Sequence, residues 1–332
     1  MSQTYEDCMR RLPKAEVHVH LEGCLEPSDV ERLALEAGEP PPPLDVAGLD
    51  LPAFLQILDR TCGLVRTPEQ VARAAYAFAE REARSGVGYA DLIVNPTHWS
   101  AWRQRLAAFV DALDTGFCQA EQDGLPPVGL CVSLLREQSA SEASELVDWL
   151  LERRHPRVVA LSIDGNEAAA GRTGPRFSAA FRKAAESGLH RTVHAGESSG
   201  PQGVRDALEL LFADRIDHGG RAIEDPDLVA ELAERQIPLN VCPGSNVQLG
   251  LYPDRASHPL DALRRAGVPV SINTDDPALL RHSLESEYAA TARAYDWDTD
   301  VLRDVARTSI TASFCDVDRQ RRLLTALDAW TP

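Results

Sequence analysis

No run of the sequence comes near the roughly 18 consecutive apolar residues of a membrane span, and the opening MSQTYEDCMRRLPKAE holds no apolar core of signal-peptide type. Neither a membrane partner nor secretion is expected. No Cys-x-x-Cys pair occurs among the seven cysteines Cys8, Cys24, Cys62, Cys118, Cys131, Cys242 and Cys315. An odd count with several apolar neighbours predicts reduced, mostly packed thiols in a cytoplasmic protein. Basic residues are outnumbered, 34 against 51 acidic, for a formal net charge of -17. They are scattered rather than gathered into a stripe able to track a phosphate backbone, which excludes a nucleic-acid polymer as the expected partner. There is no internal repeat and no low-complexity linker, so residues 1–332 are expected to form a single domain, a length that α/β barrels reach. The sequence does not specify an oligomeric state.

What is present is an alternation of short β-type runs with longer segments of 3.6-residue apolar spacing, the pattern of repeated βα units. Eight strands are expected, over 15–21, 89–94, 127–134, 158–163, 191–194, 216–218, 238–241 and 268–273. Eight units predict an α/β fold of the (β/α)8 TIM-barrel kind. Helical patterns include 141–154 and 225–235, with Ser141, Glu142 and Glu145 as a starting cap and Ser187-Gly188 as a stop. Two further patterns, 51–64 and 68–85, fall between the first two strands with the proline run 39–43, and predict a helical insertion over one barrel end. C-terminal helices are expected over 298–308 and 316–327.

Four motifs carry chemistry. His18-Val-His20 lies in the first strand, where residues two apart share a face, so both imidazoles are directed to the barrel mouth as neutral nitrogen donors. His194-Ala-Gly-Glu197 stands where the fifth strand runs out, at the strand ends that carry catalytic groups in barrels. Glu197 is suited to carrying a proton rather than binding metal. Asp217-His218-Gly219 ends the sixth strand, and His218 either completes a metal site or orients and deprotonates a water bound there. Asn273-Thr-Asp275-Asp276-Pro277 follows the eighth strand, and its adjacent carboxylates point differently, one toward a metal and one toward substrate. Three imidazoles and one carboxylate suit Zn²⁺, with Fe²⁺ or Mn²⁺ as alternatives. Such an ion lowers the pKa of bound water from 15.7 to roughly 7.

Two absences narrow the chemistry. The fourth-strand run Val158 to Asp164 has no lysine to bridge a second ion, so one metal per chain is expected. The zinc-deaminase design that pairs His-x-Glu with Pro-Cys-x-x-Cys is missing, and Cys242-Pro243 has the wrong order and no second cysteine.

In order, LPKAEVHVHLEG, VHAGE, DHGGR, VCPGSN and NTDDP resemble the adenosine and adenine deaminase family, from Leu12 to Pro277. The resemblance implies a (β/α)8 barrel with one zinc ion that replaces the purine 6-amino group by oxygen and releases ammonia. It implies His18, His20, His194 and Asp275 as ligands, Glu197 protonating purine N1, and His218 orienting water and stabilising charge. It further implies Asp276 at N7 and the Gly165 amide at N3. Glu22 stands where adenosine deaminases have a ribose-contacting aspartate, and glutamate there is familiar from adenine deaminases. Asp217 and Gly220 also depart from the common pattern. The expected partner is therefore a small-molecule aminopurine: a nucleoside of the adenosine type, or alternatively free adenine or an N6-substituted adenine. A barrel hydrolase opening an amide or ring, and an inactive nucleoside-binding sensor, are the competing readings.

Overall fold

The computed structural model describes residues 2–46 and 48–332. Eight strands run in sequence order around one sheet, each parallel to its neighbour: β1 Lys14–His20, β2 Val87–Val94, β3 Val128–Leu135, β4 Val158–Asp164, β5 His190–Ala195, β6 Arg215–His218, β7 Leu239–Val241 and β8 Val270–Ile272. All eight expected strands are present. The near-continuous apolar runs of β2, β3 and β4 follow from burial on both faces, between barrel interior and outer helices. β7 and β8 are shorter than expected chiefly because each starts just after a proline, Pro238 and Pro269, which has no N–H to give the ladder.

The barrel closes through two backbone hydrogen bonds beyond the end of β8. The His20 amide donates to the Asp275 carbonyl at 2.7 Å, and the Asp275 amide donates to the His18 carbonyl at 3.2 Å. Near the opposite end, Arg215 is buried and paired with Asp91 at 2.6 Å. It also donates to the carbonyls of Val17 at 2.9 Å and Ala312 at 2.8 Å and stacks on Phe314, so a costly buried cation is fully engaged.

The segment between β1 and β2 holds three helices, Pro27–Ala37, Leu51–Cys62 and Pro68–Arg84. Sequence periodicity marked only the last two, since Pro27–Ala37 buries just Val30, Leu33 and Ala34. Most of the proline run is exposed and without regular structure. Leu51–Cys62 lies over the C-terminal rim, as the expected insertion does. An N-terminal helix, Ser2–Arg11, was not anticipated. The helix Ala140–Arg153 is capped by Ser139, not Ser141, in a box with Glu142. Two serines at adjacent turn positions offered the same signal, and only Ser139 is three residues before the glutamate. The C-terminal helices are Thr299–Ala312 and Val317–Ala329. All seven cysteines are unbridged, four of them buried. Among the described residues no helix is long and apolar enough to cross a membrane.

Candidate active site

Alternation along β1 turns His18 and His20 inward, β5 delivers His194, and the closing bonds fix Asp275 beside them. His18 Nε2 and His20 Nε2 lie 3.2 and 3.0 Å from His194 Nε2. Asp275 Oδ1 lies 3.5 and 3.4 Å from the same two atoms. A tetrahedral ion with ligands at about 2.0–2.1 Å spaces its donors by about 3.3 Å, so these separations fit one small ion.

His18 is oriented from behind by a hydrogen bond, and the other two imidazoles face carboxylates at longer range. His18 Nδ1 is 2.9 Å from the Asn240 carbonyl, His194 Nδ1 is 3.4 Å from Asp217 Oδ2, and His20 Nδ1 is 3.8 Å from Asp164 Oδ2. The Asn240 carbonyl keeps the His18 proton at Nδ1 and leaves its Nε2 lone pair for the centre. Asp217, which departs from the common glycine, is itself held by Thr192 at 2.7 Å and Asn240 at 2.8 Å. Ser245 donates to Asp275 Oδ2 at 2.6 Å. Cys242 faces His18 at Nδ1, 3.4 Å away on the other side of the ring, and burial pushes its thiol well above the ordinary value. It adds nothing to the four-donor set.

His218 ends β6 at a φ of 68°, unusual for a residue with a Cβ and of the kind that clusters at active sites. Its Nε2 lies 3.5 Å from Glu197 Oε1. Burial, reinforced by Asp275 and Glu167, pushes the Glu197 carboxyl up to about 8, so it is protonated at neutral pH. The loop bearing it is gathered by Glu167, whose carboxylate accepts from the amides of Gly196 at 3.0 Å, Glu197 at 3.1 Å and Ser199 at 3.1 Å. Burial and the neighbouring Asp275 raise the Asp276 carboxyl well above the usual range.

A narrow cavity opens onto these groups. His20, Glu22, Asp164, Gly165, His194, Glu197, His218, Asp275 and Asp276 line its polar side. Leu51, Phe54, Leu55 and Leu58 of the insertion helix, with Leu249, form its apolar wall. Glu22 Oε1 accepts from the Asn95 amide at 2.8 Å and the Trp99 indole at 2.6 Å, while Oε2 has no partner. Asp164 Oδ2 and Asp276 Oδ1 are likewise buried without partners. A Cβ on Gly23 would meet Asp276 Oδ1 at 2.1 Å, so only glycine lets this loop approach so closely. Gly165 adopts a φ of 98°, which favours glycine for its backbone.

His20, Glu22, Gly165, His194, Glu197, His218, Asp275 and Asp276 line this one cavity and His18 lies in the donor cluster beneath it, whereas Asp217 stands behind His194 and Gly220 packs against Tyr252. Trp99, Glu167, Arg136, Asn246 and His258 were not given roles. Arg136 donates to Thr173 at 2.8 Å and to the His194 carbonyl, anchoring the strand end. The only signal for Glu167 was its place two residues after Gly165, whose amide the resemblance puts at N3.

The model of the family described as adenosine deaminase matches residues 13–330. The chain belongs to that family. As a family member it is an aminohydrolase acting on aminopurines, and the family is metal-dependent. It is 36% identical over 331 residues to the aminodeoxyfutalosine deaminase of Streptomyces coelicolor, covering 96% of this chain and 84% of that one. The adenine deaminase of Arthrobacter aurescens superposes with a TM-score of 0.90 at 30% identity, covering 96% of this chain and 98% of the other. A zinc-bound amidohydrolase from Burkholderia ambifaria gives a TM-score of 0.88 at 28% identity, covering 99% and 93%.

Proposed function

We propose that this deaminase hydrolyses a 6-aminopurine to the 6-oxo compound with one zinc ion, and that free adenine or a close uncharged relative is preferred over adenosine and over nucleotides. His18, His20, His194 and Asp275 would hold the ion, which when bound supplies an activated water at neutral pH. Glu197, protonated in its buried setting, gives its proton to purine N1 as the water oxygen adds to C6. This places a proton where negative charge would otherwise build up in the ring. His218 stabilises charge at the attacking oxygen, Asp276 holds N7, and the Gly165 amide holds N3. The hydroxyl proton of the added oxygen passes to the amino nitrogen, the C6–N bond breaks with release of ammonia, the oxygen stays as the C6 carbonyl, and the other proton of the water restores Glu197.

The observation that carries the substrate choice is the cavity's polar inventory. Glu22 and Asp164 each offer a buried carboxylate oxygen without a partner, and an unmatched buried acceptor is costly until a ligand supplies a donor, whereas Asp276, its carboxyl raised by burial and Asp275, is suited to donate to N7. Free adenine carries an imidazole N–H that adenosine lacks and needs no room for a sugar between Glu22 and the apolar wall, whereas the ribose hydroxyls of adenosine are the competing donors. No lysine or arginine is among the described residues lining the cavity, so a 5′-phosphate would meet carboxylates in place of cations.

Ammonia release from metal-loaded protein, measured with adenine, N6-methyladenine, adenosine and AMP, tests the reading. The expected result is a kcat/KM for adenine at least about tenfold above adenosine, equivalent to one good polar contact, and no turnover of AMP. Equal or better use of adenosine would return the choice to nucleosides. A product heavier by one water, with no ammonia released, would replace deamination by ring or amide opening.

A further inference from the structure

His258 is buried between the helices Pro243–Gln248 and Leu260–Arg265, outside the cavity lining. Its position is over-determined: the ring packs on Tyr252 at a centroid distance of 4.4 Å, and the Tyr295 hydroxyl donates to its carbonyl at 2.7 Å. The Leu260 amide donates to His258 Nδ1 at 3.1 Å. A backbone N–H can only donate, so Nδ1 carries the lone pair and the ring proton is on Nε2. That Nε2 is 3.1 Å from Asn246 Oδ1 and donates to it.

With its oxygen engaged, the Asn246 amide points Nδ2 the other way, 3.3 Å from His218 Nδ1 and 3.5 Å from Glu197 Oε1. Nδ2 has only hydrogens to offer. His218 Nδ1 must then accept, and the proton of the neutral ring sits on Nε2, the atom 3.5 Å from Glu197. Burial and the Arg255 guanidinium hold the His258 imidazole down to about 4, so this first ring stays neutral. The direction of every bond in the series follows from one backbone amide.

We propose that His258 is a positioning residue which, through Asn246, sets the Nε2–H tautomer of His218 and steers the Glu197 side chain. His218 is thereby a hydrogen-bond donor at the reaction centre, and the alternative of a water-deprotonating base, open from the sequence, is closed. The kinetic consequence rests on the deamination reading; the tautomer belongs to the resting protein.

The test joins two readouts. Nitrogen-15 NMR of histidine-labelled full-length protein, with the His218 signals assigned by their loss in H218Q, reports which ring nitrogen carries the proton. Wild-type protein, metal-free and zinc-loaded, is expected to show an unprotonated Nδ1. N246D, which presents an acceptor to Nδ1, is expected to move the proton there. In ammonia release, H258A is expected to lose about 10–100-fold in kcat, the scale of one misoriented proton-transfer or charge-stabilising group, with KM within about threefold and metal content unchanged. H258Q keeps an acceptor for Leu260 and a donor for Asn246, and should recover to within about fivefold of wild type. A wild-type His218 protonated at Nδ1, an unmoved tautomer in N246D, or wild-type kcat in H258A would overturn the proposal. If no aminopurine is turned over, the functional reading fails while the NMR result still decides this one.

Discussion

Glu197 can act as an acid only while it holds its proton, and its carboxyl is pushed up to about 8 by burial, with Asp275 and Glu167 adding to the shift. For a group that must be protonated, activity is present below that value and lost above it. The expected kcat/KM profile therefore falls as pH rises through about 8, and E197Q is expected to lose about 10²–10⁴-fold while retaining metal. A stopped assay across pH 6–10 with metal analysis checks both. How much of the site was legible depended on the source of the signal. His18 and His20 announce themselves because strand alternation is local, and His194, Glu197, His218, Asp275 and Asp276 because strand ends in a barrel share one rim. Glu167 and His258 act through contacts 30 and 12 residues away, and no local pattern encodes a loop carboxylate that collects three amides. Trp99, which fixes Glu22 across 77 residues, was invisible for the same reason.

At the level of elements, the helix Leu51–Cys62 turns an i, i+3, i+4, i+7 face of Leu51, Phe54, Leu55 and Leu58 toward the cavity. It is tied to the end of β2 by Asp59, 2.7 Å from His98 Nδ1. The apolar periodicity of this segment made the helix readable, whereas its partner was not, because periodicity says which face is apolar and not what that face meets. Leu55 is only half-buried, so its loss opens the wall without emptying the core. L55A is expected to raise KM for adenine about 3–10-fold, from about 1 kcal/mol of lost apolar contact, with Tm within about 2 °C of wild type. Steady-state kinetics and thermal melts separate this from a loss of core packing, which Phe54→Ala would cause.

Across the whole molecule, the barrel closes with bonds between His18, His20 and Asp275, residues that also offer three of the four side chains proposed to hold the ion. The seam was beyond reach of the sequence, since strand order predicts that β8 meets β1 but not by which atoms. An ion held there would staple the first and last strands together, and binding stabilises the folded state by about 4 kcal/mol when the ion is present at a thousandfold its Kd. Removal by a chelator is expected to lower Tm by roughly 5–10 °C and to raise hydrogen exchange at the His20 amide selectively. Unchanged melting and exchange would mean that closure and ion binding are independent.

That shared seam also orders events in time. His18 and His20 are made early, but Asp275 is added near the end of the chain, roughly 10–50 s later at about 5–20 residues per second. The four-donor set therefore cannot exist on a nascent chain until translation has passed residue 275, so no ion can be captured by all four donors before then.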